Sequence, residues 1–335
     1  MKKNKGLKIL GCIVAVIILF FAVINIIPPK KNVEENPFLK GSKGMTMIAA
    51  HRGGAINNPE NTMLAFRSAV REYGVDILES DLYLTKDGYL VYNHDDYIDE
   101  TCNINGDITL DEVKELCRDK SKRHYIKDMT LAELEQYNFG YYFIDESGRR
   151  AYKDIVHIEN AGLQIATVDK LFNEFYETNR SLMFIVEIKN DGDLGKQACR
   201  ILYDTLKEYP DYLDNTVVGT FHDEIETELK TSYPELLRGA PTGTAAKFIL
   251  TQFLGVNLFD NSDFACLQIP TSYDLGITLK LDKSTIIKRA HRRNIAVQYW
   301  TVNEEDEMRR LIELGCDCIM TDNPKLLREV LKSYN

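Results

Sequence analysis

Ionisable side chains gather where four short apolar segments of the chain end, and this pattern indicates chemistry at one shared site. The four places are His51-Arg52-Gly53-Gly54, Glu79-Ser80-Asp81, His94-Asp95 and Glu187-Ile188-Lys189. Residues two apart on a strand face the same side, so Glu79 should point with Asp81, and Glu187 with Lys189. A single acid of this kind is usually a solvated strand end or half of an internal salt bridge. Four segments that all end in this way favour a functional site.

Three of these side chains, Glu79, Asp81 and Glu187, are carboxylates that would repel one another if they faced one mouth. Buried charges are costly unless they are paired or bound to a metal ion. A divalent cation that prefers oxygen ligands, Mg²⁺ or Ca²⁺, would remove the repulsion. The sequence therefore predicts one divalent cation held by these three carboxylates.

The segments that must position these side chains alternate between β-rich and helical patterns from residue 46 onward. Candidate helices, whose apolar residues recur at helical spacing, include 62–73, 167–179, 192–209, 283–293 and 303–314. Nine candidate strands are 47–51, 75–81, 90–94, 182–189, 216–221, 237–240, 265–269, 295–301 and 318–322.

Regular alternation of strands and helices predicts parallel strands with helices outside them. About eight such units favour a closed (β/α)8 TIM barrel of the α/β class over an open sheet, so one of the nine strand candidates is an extra. No Gly-rich dinucleotide fingerprint follows the first strand, which is evidence against a Rossmann domain. Residues 96–165 interrupt the alternation and are predicted to form an insertion after the third strand.

An uncharged apolar stretch, residues 9–27, precedes the barrel. As a helix, these nineteen residues would span roughly 28 Å, close to the thickness of a bilayer core. Pro28 and Pro29 follow without a small-residue cleavage site, so an uncleaved anchor is favoured over a cleaved signal peptide.

The chain is thus divided into cytoplasmic lysines with a transmembrane anchor (1–27), a linker (28–45) and the barrel (46–335). Lysines flank the apolar stretch on both sides, and their weak excess before it places the barrel outside the cell membrane. The formal net charge is -10, and residues 1–31 hold six of the 41 basic residues and none of the 51 acidic ones. A body this acidic is unsuited to general binding of nucleic acid.

The motifs together resemble those of the glycerophosphodiester phosphodiesterase family, from about residue 46 to residue 330. They are His51-Arg52-Gly53-Gly54, Pro59-Glu60-Asn61-Thr62, Glu79-x-Asp81, Thr85-Lys86-Asp87-Gly88, His94-Asp95, Glu187-x-Lys189, Trp300-Thr301-Val302-Asn303 and Thr321-Asp322-x-Pro324. The resemblance implies a (β/α)8 barrel with a small insertion after the third strand. It also implies hydrolysis of glycerophosphodiesters to an alcohol and glycerol 3-phosphate.

The resemblance further assigns roles to single residues. His51 and His94 match the acid–base pair, which suits imidazole because it titrates near neutral pH. The three carboxylates match the metal ligands, Arg52 and Lys189 match the phosphate contacts, and Trp300 matches a residue that lines the substrate pocket. Glu60 is interpreted as part of a loop-shaping element, with a secondary chance of contacting the site.

The sequence leaves alternatives open. The stretch Asp99-Glu100-Thr101-Cys102 departs from the family pattern, and residues 107–126 are longer than usual, which leaves the substrate preference undecided. Lysophospholipid, phosphatidylinositol-type and polyglycerol-phosphate substrates fit the same fold, and so does a non-catalytic binding module. The nucleophile is either water or the 2-hydroxyl of the substrate's glycerol. A two-acid glycosidase would leave the cations and histidines unexplained.

Overall fold

The computed structural model describes residues 2–41, 44–274, 276 and 278–334, and its centre is a sheet of parallel strands. In chain order the strands are β1 (Met47–Ala50), β2 (Ile77–Leu84), β3 (Leu90–Tyr92), β4 (Met183–Ile188), β5 (Thr216–Gly219), β6 (Leu237–Arg238), β7 (Cys266–Ile269), β8 (Ser272–Asp274), β9 (Thr278–Lys280), β10 (Ala296–Tyr299) and β11 (Cys318–Thr321).

Eight of these strands form a nearly closed barrel in the order β6-β5-β4-β2-β1-β11-β10-β7. Each neighbouring pair on this path is parallel, and a parallel bridge between Gly239 and Cys266 brings its two ends together. This arrangement confirms the predicted (β/α)8 barrel.

The α-helices are α1 (Lys2–Ile26), α2 (Met63–Arg71), α3 (Leu110–Leu116), α4 (Leu131–Leu134), α5 (Ile158–Ala161), α6 (Val168–Phe175), α7 (Gly192–Glu208), α8 (Pro210–Asp214), α9 (Asp223–Ser232), α10 (Thr242–Phe253), α11 (Ser284–His291), α12 (Glu305–Leu314) and α13 (Pro324–Lys332). Of these, α2 and α6–α13 cover the outside of the barrel and bury one face against its strands. Local signals fix several ends: the hydroxyl of Thr62 accepts from the Ala65 N–H at the start of α2, and Gly315 ends α12 with a left-handed φ of 79°.

The ninth strand candidate lies outside the barrel. β3 pairs antiparallel with β2, with Leu82 opposite Tyr92, and the insertion follows it as predicted. β2 also continues to Leu84, so Glu79 and Asp81 lie within a strand, and their prediction as strand-end residues was wrong. Pairing with β3 supplies the partners that keep the end of β2 extended.

Alternation along the strands sorts side chains into two layers. Leu78 packs outward against the helices, whereas Ile77 belongs to the cluster inside the barrel. Glu79 and Asp81 share the side of Ile77, and Glu187 shares the side of Ile185, which is also inside. The acidic side chains therefore extend the column of interior residues towards the carboxyl ends of the strands.

Residues 28–41, which we call the floor segment, close the opposite end of the barrel. Phe38 is fully buried and packs in the interior cluster, and the Asn36 side chain donates to the carbonyl oxygens of Ala265 and Asn294 at 2.8 and 2.7 Å. Gly41 lies so close to the backbone that an added Cβ would meet the Gly315 carbonyl oxygen at 2.3 Å. The segment predicted as a linker is thus packed on the barrel, while the domain boundaries stay a prediction.

Helix α1 projects from the floor side and is largely exposed. Its segment Lys8–Ile26 has a mean hydropathy of 3.1 with 6% of its residues buried, which is unlike a core helix. Length and composition suit either a membrane span or a signal sequence. The helix is also joined to the body: Asn25 Nδ2 donates to the Gly255 carbonyl, and Arg292 donates to the carbonyls of Asn25 and Ile27, each at 3.0 Å.

Candidate active site

A cavity of about 790 Å³ lies at the carboxyl ends of the barrel strands. The eight site residues predicted from the sequence all line it: His51, Arg52, Glu79, Asp81, His94, Glu187, Lys189 and Trp300. The fold therefore brings together side chains that lie up to 249 positions apart in the sequence. Their chemical roles stay predictions.

The turn after β1 aims two of these side chains into the cavity. Arg52 has a left-handed φ of 52°, and Gly53 and Gly54 continue with φ of 82° and 97°. Any Cβ at Gly53 would meet the Ala65 side chain at 2.9 Å, so the glycine lets the turn approach α2 closely. The result is a sharp reversal that leaves both His51 and Arg52 facing the cavity.

His51 is held by an aspartate from the last barrel strand. Its Nδ1 lies 2.5 Å from Asp322 Oδ1, and its Nε2 lies 3.9 Å from Glu79 Oε2. Burial by itself lowers the pKa of His51, but the hydrogen bond to Asp322 and the charges of Glu79 and Asp322 outweigh it and raise the pKa above its usual value. Burial raises the pKa of Asp322, but bonding to His51 outweighs this and lowers it. An ionised Asp322 can only accept, so His51 Nδ1 carries the proton.

Asp322 is itself fixed by Asn303. The Asn303 side chain donates to Asp322 Oδ2 at 2.8 Å and accepts from the Asp322 backbone N–H at 2.9 Å. The sequence motif contained both residues, but it gave no indication that they orient His51. The contact between His51 and Asp322 spans 271 positions and depends on how the ends of β1 and β11 meet.

The three carboxylates occupy two neighbouring strands. Asp81 and Glu187 are direct partners in the parallel register of β2 and β4, and Glu79 lies two residues earlier on the same face as Asp81. Lys189 Nζ lies 3.5 Å from Asp81 Oδ1 and 3.2 Å from Glu187 Oε1. The ammonium group thus bridges two of the three acids.

Arg52 is the second cation in contact with this cluster. Its Nε lies 3.6 Å from Asp81 Oδ2, its Nη1 lies 3.2 Å from Glu60 Oε2, and its backbone N–H donates to Glu79 Oε2 at 3.0 Å. Glu60 therefore reaches the site through Arg52, although the sequence pattern chiefly indicated a loop-shaping role. The Pro59-Glu60-Asn61-Thr62 motif was the signal that could have shown this.

Burial makes the acidic cluster costly in its ionised form. Burial and the charge of Asp81 raise the pKa of Glu79 to about 7, with His51 and Arg52 acting in the opposite direction. Burial also raises the pKa of Glu187, although Lys189 opposes it. Burial lowers the pKa of Lys189, but Asp81 and Glu187 outweigh this and raise it. Additional positive charge at this place would stabilise the ionised acids.

The donor set suits an oxygen-preferring cation. Asp81 Oδ2 is buried and has no hydrogen-bond partner, and the neighbouring acids supply further carboxylate oxygens. Among the described residues, no three His, Cys, Asp or Glu side chains are close enough together to hold a metal ion as they stand. The carboxylate oxygens therefore have the chemistry that a divalent cation requires, although the Lys189 ammonium group lies between Asp81 and Glu187.

His94 follows β3, on the rim of the cavity. Its side chain is 35% exposed, and its Nδ1 lies 3.3 Å from Asp95 Oδ1; this hydrogen bond lowers the pKa of Asp95. Trp300, which is 37% exposed, follows β10 on another part of the rim. The exposed fractions leave both rings able to meet a bound molecule.

Two further features of the site were missed at the sequence level. His222, which the sequence motifs did not single out, lies with its Nε2 3.1 Å from the Lys189 carbonyl oxygen. One wall of the cavity is also apolar and belongs largely to α10, which was not among the candidate helices. Its repeat of Ala245, Ile249 and Phe253 at four-residue spacing could have indicated the helix.

Comparison with known proteins gives one consistent result. The model of the "Glycerophosphoryl diester phosphodiesterase family" matches residues 51–326. A glycerophosphodiester phosphodiesterase of Caldanaerobacter subterraneus subsp. tengcongensis is 25% identical over 86% of this chain and 98% of its own. Lysophospholipase D GDPD1 of Rattus norvegicus is 26% identical over 88% of this chain and 89% of its own.

Solved structures show the same fold. A glycerophosphodiester phosphodiesterase from Agrobacterium tumefaciens aligns with a TM-score of 0.61 at 18% identity, over 85% of this chain and 100% of its own. An Oleispira antarctica phosphodiesterase, solved in complex with the product sn-glycerol-3-phosphate, aligns with a TM-score of 0.60 at 20% identity, over 87% of this chain and 99% of its own.

Proposed function

The chain belongs to the glycerophosphoryl diester phosphodiesterase family, and we propose that it is a membrane-anchored, metal-dependent member that hydrolyses glycerophosphodiesters with His51 and His94 as acid and base. The products would be an alcohol and glycerol 3-phosphate. One observation carries the proposal: two histidines, two cations and three acids line a single cavity at the carboxyl end of a barrel.

The cations of the site suit a phosphodiester anion. Arg52 and Lys189 are each paired with Asp81 at 3.6 and 3.5 Å, so both charges stand at the cavity wall. Glu79, Asp81 and Glu187 would hold the Mg²⁺ or Ca²⁺ ion, which when bound polarises a phosphoryl oxygen. Arg52 and Lys189 would orient the phosphate and stabilise the charge that develops on its oxygens.

The two histidines would carry the protons. His51 has its Nδ1 proton committed to Asp322, which leaves Nε2 directed towards Glu79 and the cavity. His94, on the rim, is free to reach the other side of the phosphate. One imidazole removes the proton of the nucleophile, and the other protonates the leaving oxygen. The nucleophile is water, or the 2-hydroxyl of the substrate's glycerol, which gives a cyclic phosphate first.

Helix α1 would act as an uncleaved anchor with the barrel outside the cell. Support comes from its exposed apolar surface and from its hydrogen bonds to Gly255 and Arg292, which tie it to the body. Protease added to intact cells should degrade the body, and a fully protected body would reverse the proposed orientation. A chain that starts after residue 27 in the mature protein would show a cleaved signal instead.

The test of the reaction uses the full chain in detergent with glycerophosphocholine and glycerophosphoglycerol. Activity should require a divalent ion, vanish with chelator and return with Mg²⁺ or Ca²⁺. His51→Ala and His94→Ala should each lower kcat about 10²- to 10⁴-fold. His157→Ala is the control, because that side chain is 76% exposed and its Nδ1 lies 3.4 Å from Glu159, on the surface of the insertion. Turnover unchanged after exhaustive chelation would refute the metal site. No turnover of any phosphodiester would favour a binding module.

A further inference from the structure

The connection between α10 and β7 is unusually apolar at its surface. The chain carries no charged side chain from Phe248 to Phe259, although charged residues make up 27% of the whole sequence. Within this stretch Leu250, Leu254 and Phe259 are 58%, 59% and 63% exposed. Exposed apolar side chains that gather in one place usually mark a binding surface. We call residues 250–259, which include the end of α10, the apolar turn.

The apolar turn packs beside the last part of helix α1. Asn25 Nδ2 donates to the Gly255 carbonyl oxygen at 3.0 Å and to the Phe21 carbonyl oxygen at 2.8 Å. A Cβ placed on Gly255 would lie 3.7 Å from Phe21 Cδ1, and residues 257–259 also contact α1. Ile24, in the same part of the helix, is only 5% exposed. The apolar turn therefore lies alongside α1 and not beyond its end.

This contact sets the depth of the apolar turn relative to the proposed membrane span. The uncharged stretch of α1 ends at Ile27, six residues after Phe21, which is about 9 Å along the helix axis. If residues 9–27 fill the apolar layer, Gly255 lies at the level of Phe21, on the bilayer side of the boundary. A helix tilt of about 20° changes this depth by less than about 1 Å. Elements that lie in the membrane interface bury their apolar face by about 5–10 Å, which agrees with this depth.

Two cations border the apolar turn. Arg292 donates to the carbonyl oxygens of Asn25 and Ile27, each at 3.0 Å, where α1 would leave the apolar layer. Lys283 Nζ lies 5.0 Å from the centre of the Phe253 ring, at the end of α10. The whole chain has a formal net charge of -10, so these cations differ from the average surface. Basic groups next to apolar side chains suit a membrane interface, where anionic headgroups cover acyl chains.

We propose that the apolar turn is a second membrane contact of this protein, with Leu254 and Phe259 inserted at the boundary between headgroups and acyl chains. The inference rests on the proposed anchoring by α1 and goes beyond it, because it assigns a contact with lipid to the barrel itself. Two observations select a bilayer as the partner: the depth that the contact with Phe21 imposes, and the cations beside the apolar side chains. A barrel held at both α1 and the apolar turn would keep one orientation on the membrane.

The experiment locates the apolar turn when the full chain is reconstituted in vesicles of phosphatidylcholine and phosphatidylglycerol. The chain has one tryptophan, Trp300, which is first replaced by phenylalanine. In that background Phe259→Trp is the probe, and Leu19→Trp reports the position of α1. Tyr89→Trp is the matched control, because Tyr89 is a 45% exposed aromatic residue in the turn between β2 and β3.

Two quenchers of tryptophan fluorescence report the two phases. Lipid that is brominated along its acyl chains quenches within the apolar layer, whereas iodide quenches in water. Phe259→Trp should lose about half of its emission or more in brominated vesicles and respond little to iodide. Tyr89→Trp should show the reverse. All three probe variants should melt like the Trp300→Phe chain, because the replaced side chains are exposed.

The outcomes separate the apolar turn from the anchor. If brominated lipid quenches Leu19→Trp but iodide quenches Phe259→Trp, the apolar turn lies in water, so this proposal is wrong and the anchor stands. If brominated lipid quenches neither variant, the anchor fails and the proposal fails with it. Emission of Phe259→Trp that neither quencher reduces would place the apolar turn against a second copy of the chain, which would also overturn the proposal.

Discussion

At the scale of single residues, the contact between His51 and Asp322 gives the imidazole one defined protonation pattern. Asn303 donates to the Asp322 carboxylate and accepts from the Asp322 backbone N–H, and these bonds fix the carboxylate 2.5 Å from His51. Nδ1 therefore keeps its proton, and Nε2 is the nitrogen that can exchange one. Asp322 is not among the described residues that line the cavity. We therefore regard it as a positioning residue for His51.

Replacing Asp322 with asparagine should separate this role from substrate binding. The amide can turn its NH₂ group towards His51 and favour the wrong tautomer, so we expect kcat to fall about 10²-fold or more with KM within about threefold. Steady-state kinetics on glycerophosphocholine measure both constants. Asp204→Asn, on the exposed side of α7, should leave both constants unchanged. An equal rise in KM and fall in kcat for Asp322→Asn would show that the carboxylate binds substrate instead.

Residue types and their two-residue spacing were enough to predict which side chains gather. Glu79 and Asp81 share a face of one strand, and any barrel with that strand must place them together. The contacts of His51 with Asp322 and of Arg52 with Glu60 were not predictable in the same way. Both depend on the left-handed turn at residues 52–54, whose exact path no local pattern specifies.

At the scale of elements, an ion-pair cluster joins two outer helices that the insertion separates in the sequence. Arg67 on α2 donates twice to Glu174 on α6, at 2.6 and 2.7 Å, and Arg71 donates to the same carboxylate at 2.8 Å. Burial raises the pKa of Glu174, but bonding to Arg67 and the charges of both arginines outweigh it and lower the pKa. The cluster thus holds α6, which follows the insertion, against α2, which precedes β2.

The stability contributed by Glu174 should depend on pH. A carboxylate with a lowered folded-state pKa stabilises the fold above its usual pKa, and this stabilisation is lost as pH falls through the folded-state value. Glu174→Gln should therefore lower the unfolding free energy near pH 7 by up to about 1 kcal/mol, and this deficit, read from the urea midpoint, should shrink as pH falls below the usual carboxyl pKa. Glu177→Gln is the control, because that side chain is 78% exposed. A Glu174→Gln deficit that stays constant with pH would contradict the ion-pair explanation.

Strand positions were predictable because each strand is a short β-rich apolar segment with polar residues after it. The direction of β3 was not predictable. An apolar segment of the same kind can follow either a tight turn, as at residues 85–89, or a long crossover, and only the turn makes the strand antiparallel to β2. The hairpin of β8 and β9 was also missed, because its residues are mostly exposed and carry no alternating pattern.

At the scale of the whole molecule, the floor segment makes the amino-terminal region part of the folded body. Phe38 fills the interior cluster, Asn36 satisfies two strand-end carbonyls, and the Gly41 N–H donates to Asp317 Oδ1 at 2.6 Å. The proline and glycine residues of this segment predicted a linker. Single buried contacts of this kind leave no periodic signal.

Truncation should reveal the floor segment directly. A chain that begins at residue 28 should keep the melting temperature of the full-length body, whereas one that begins at residue 46 should melt lower, because it opens the end of the barrel. Phe38→Ala in the longer chain should cost about 3–5 kcal/mol. Thermal unfolding followed by circular dichroism measures all three. Phe259→Ala, at a side chain that is 63% exposed, should have little effect. Equal melting temperatures for the two truncated chains would show that residues 28–45 are dispensable.

The packed floor also bears on how the enzyme would meet its substrates. A catalytic domain that is joined to its membrane anchor by a long flexible linker can occupy many positions above the bilayer. Here the bonds from Arg292 to the end of α1, together with the buried Phe38, leave almost no slack between the proposed anchor and the barrel. Substrate would then reach the active site mainly by lateral diffusion within the membrane leaflet. The turnover of a lipid substrate would follow its number per unit area of membrane, and dilution of the surrounding solution would leave it unchanged.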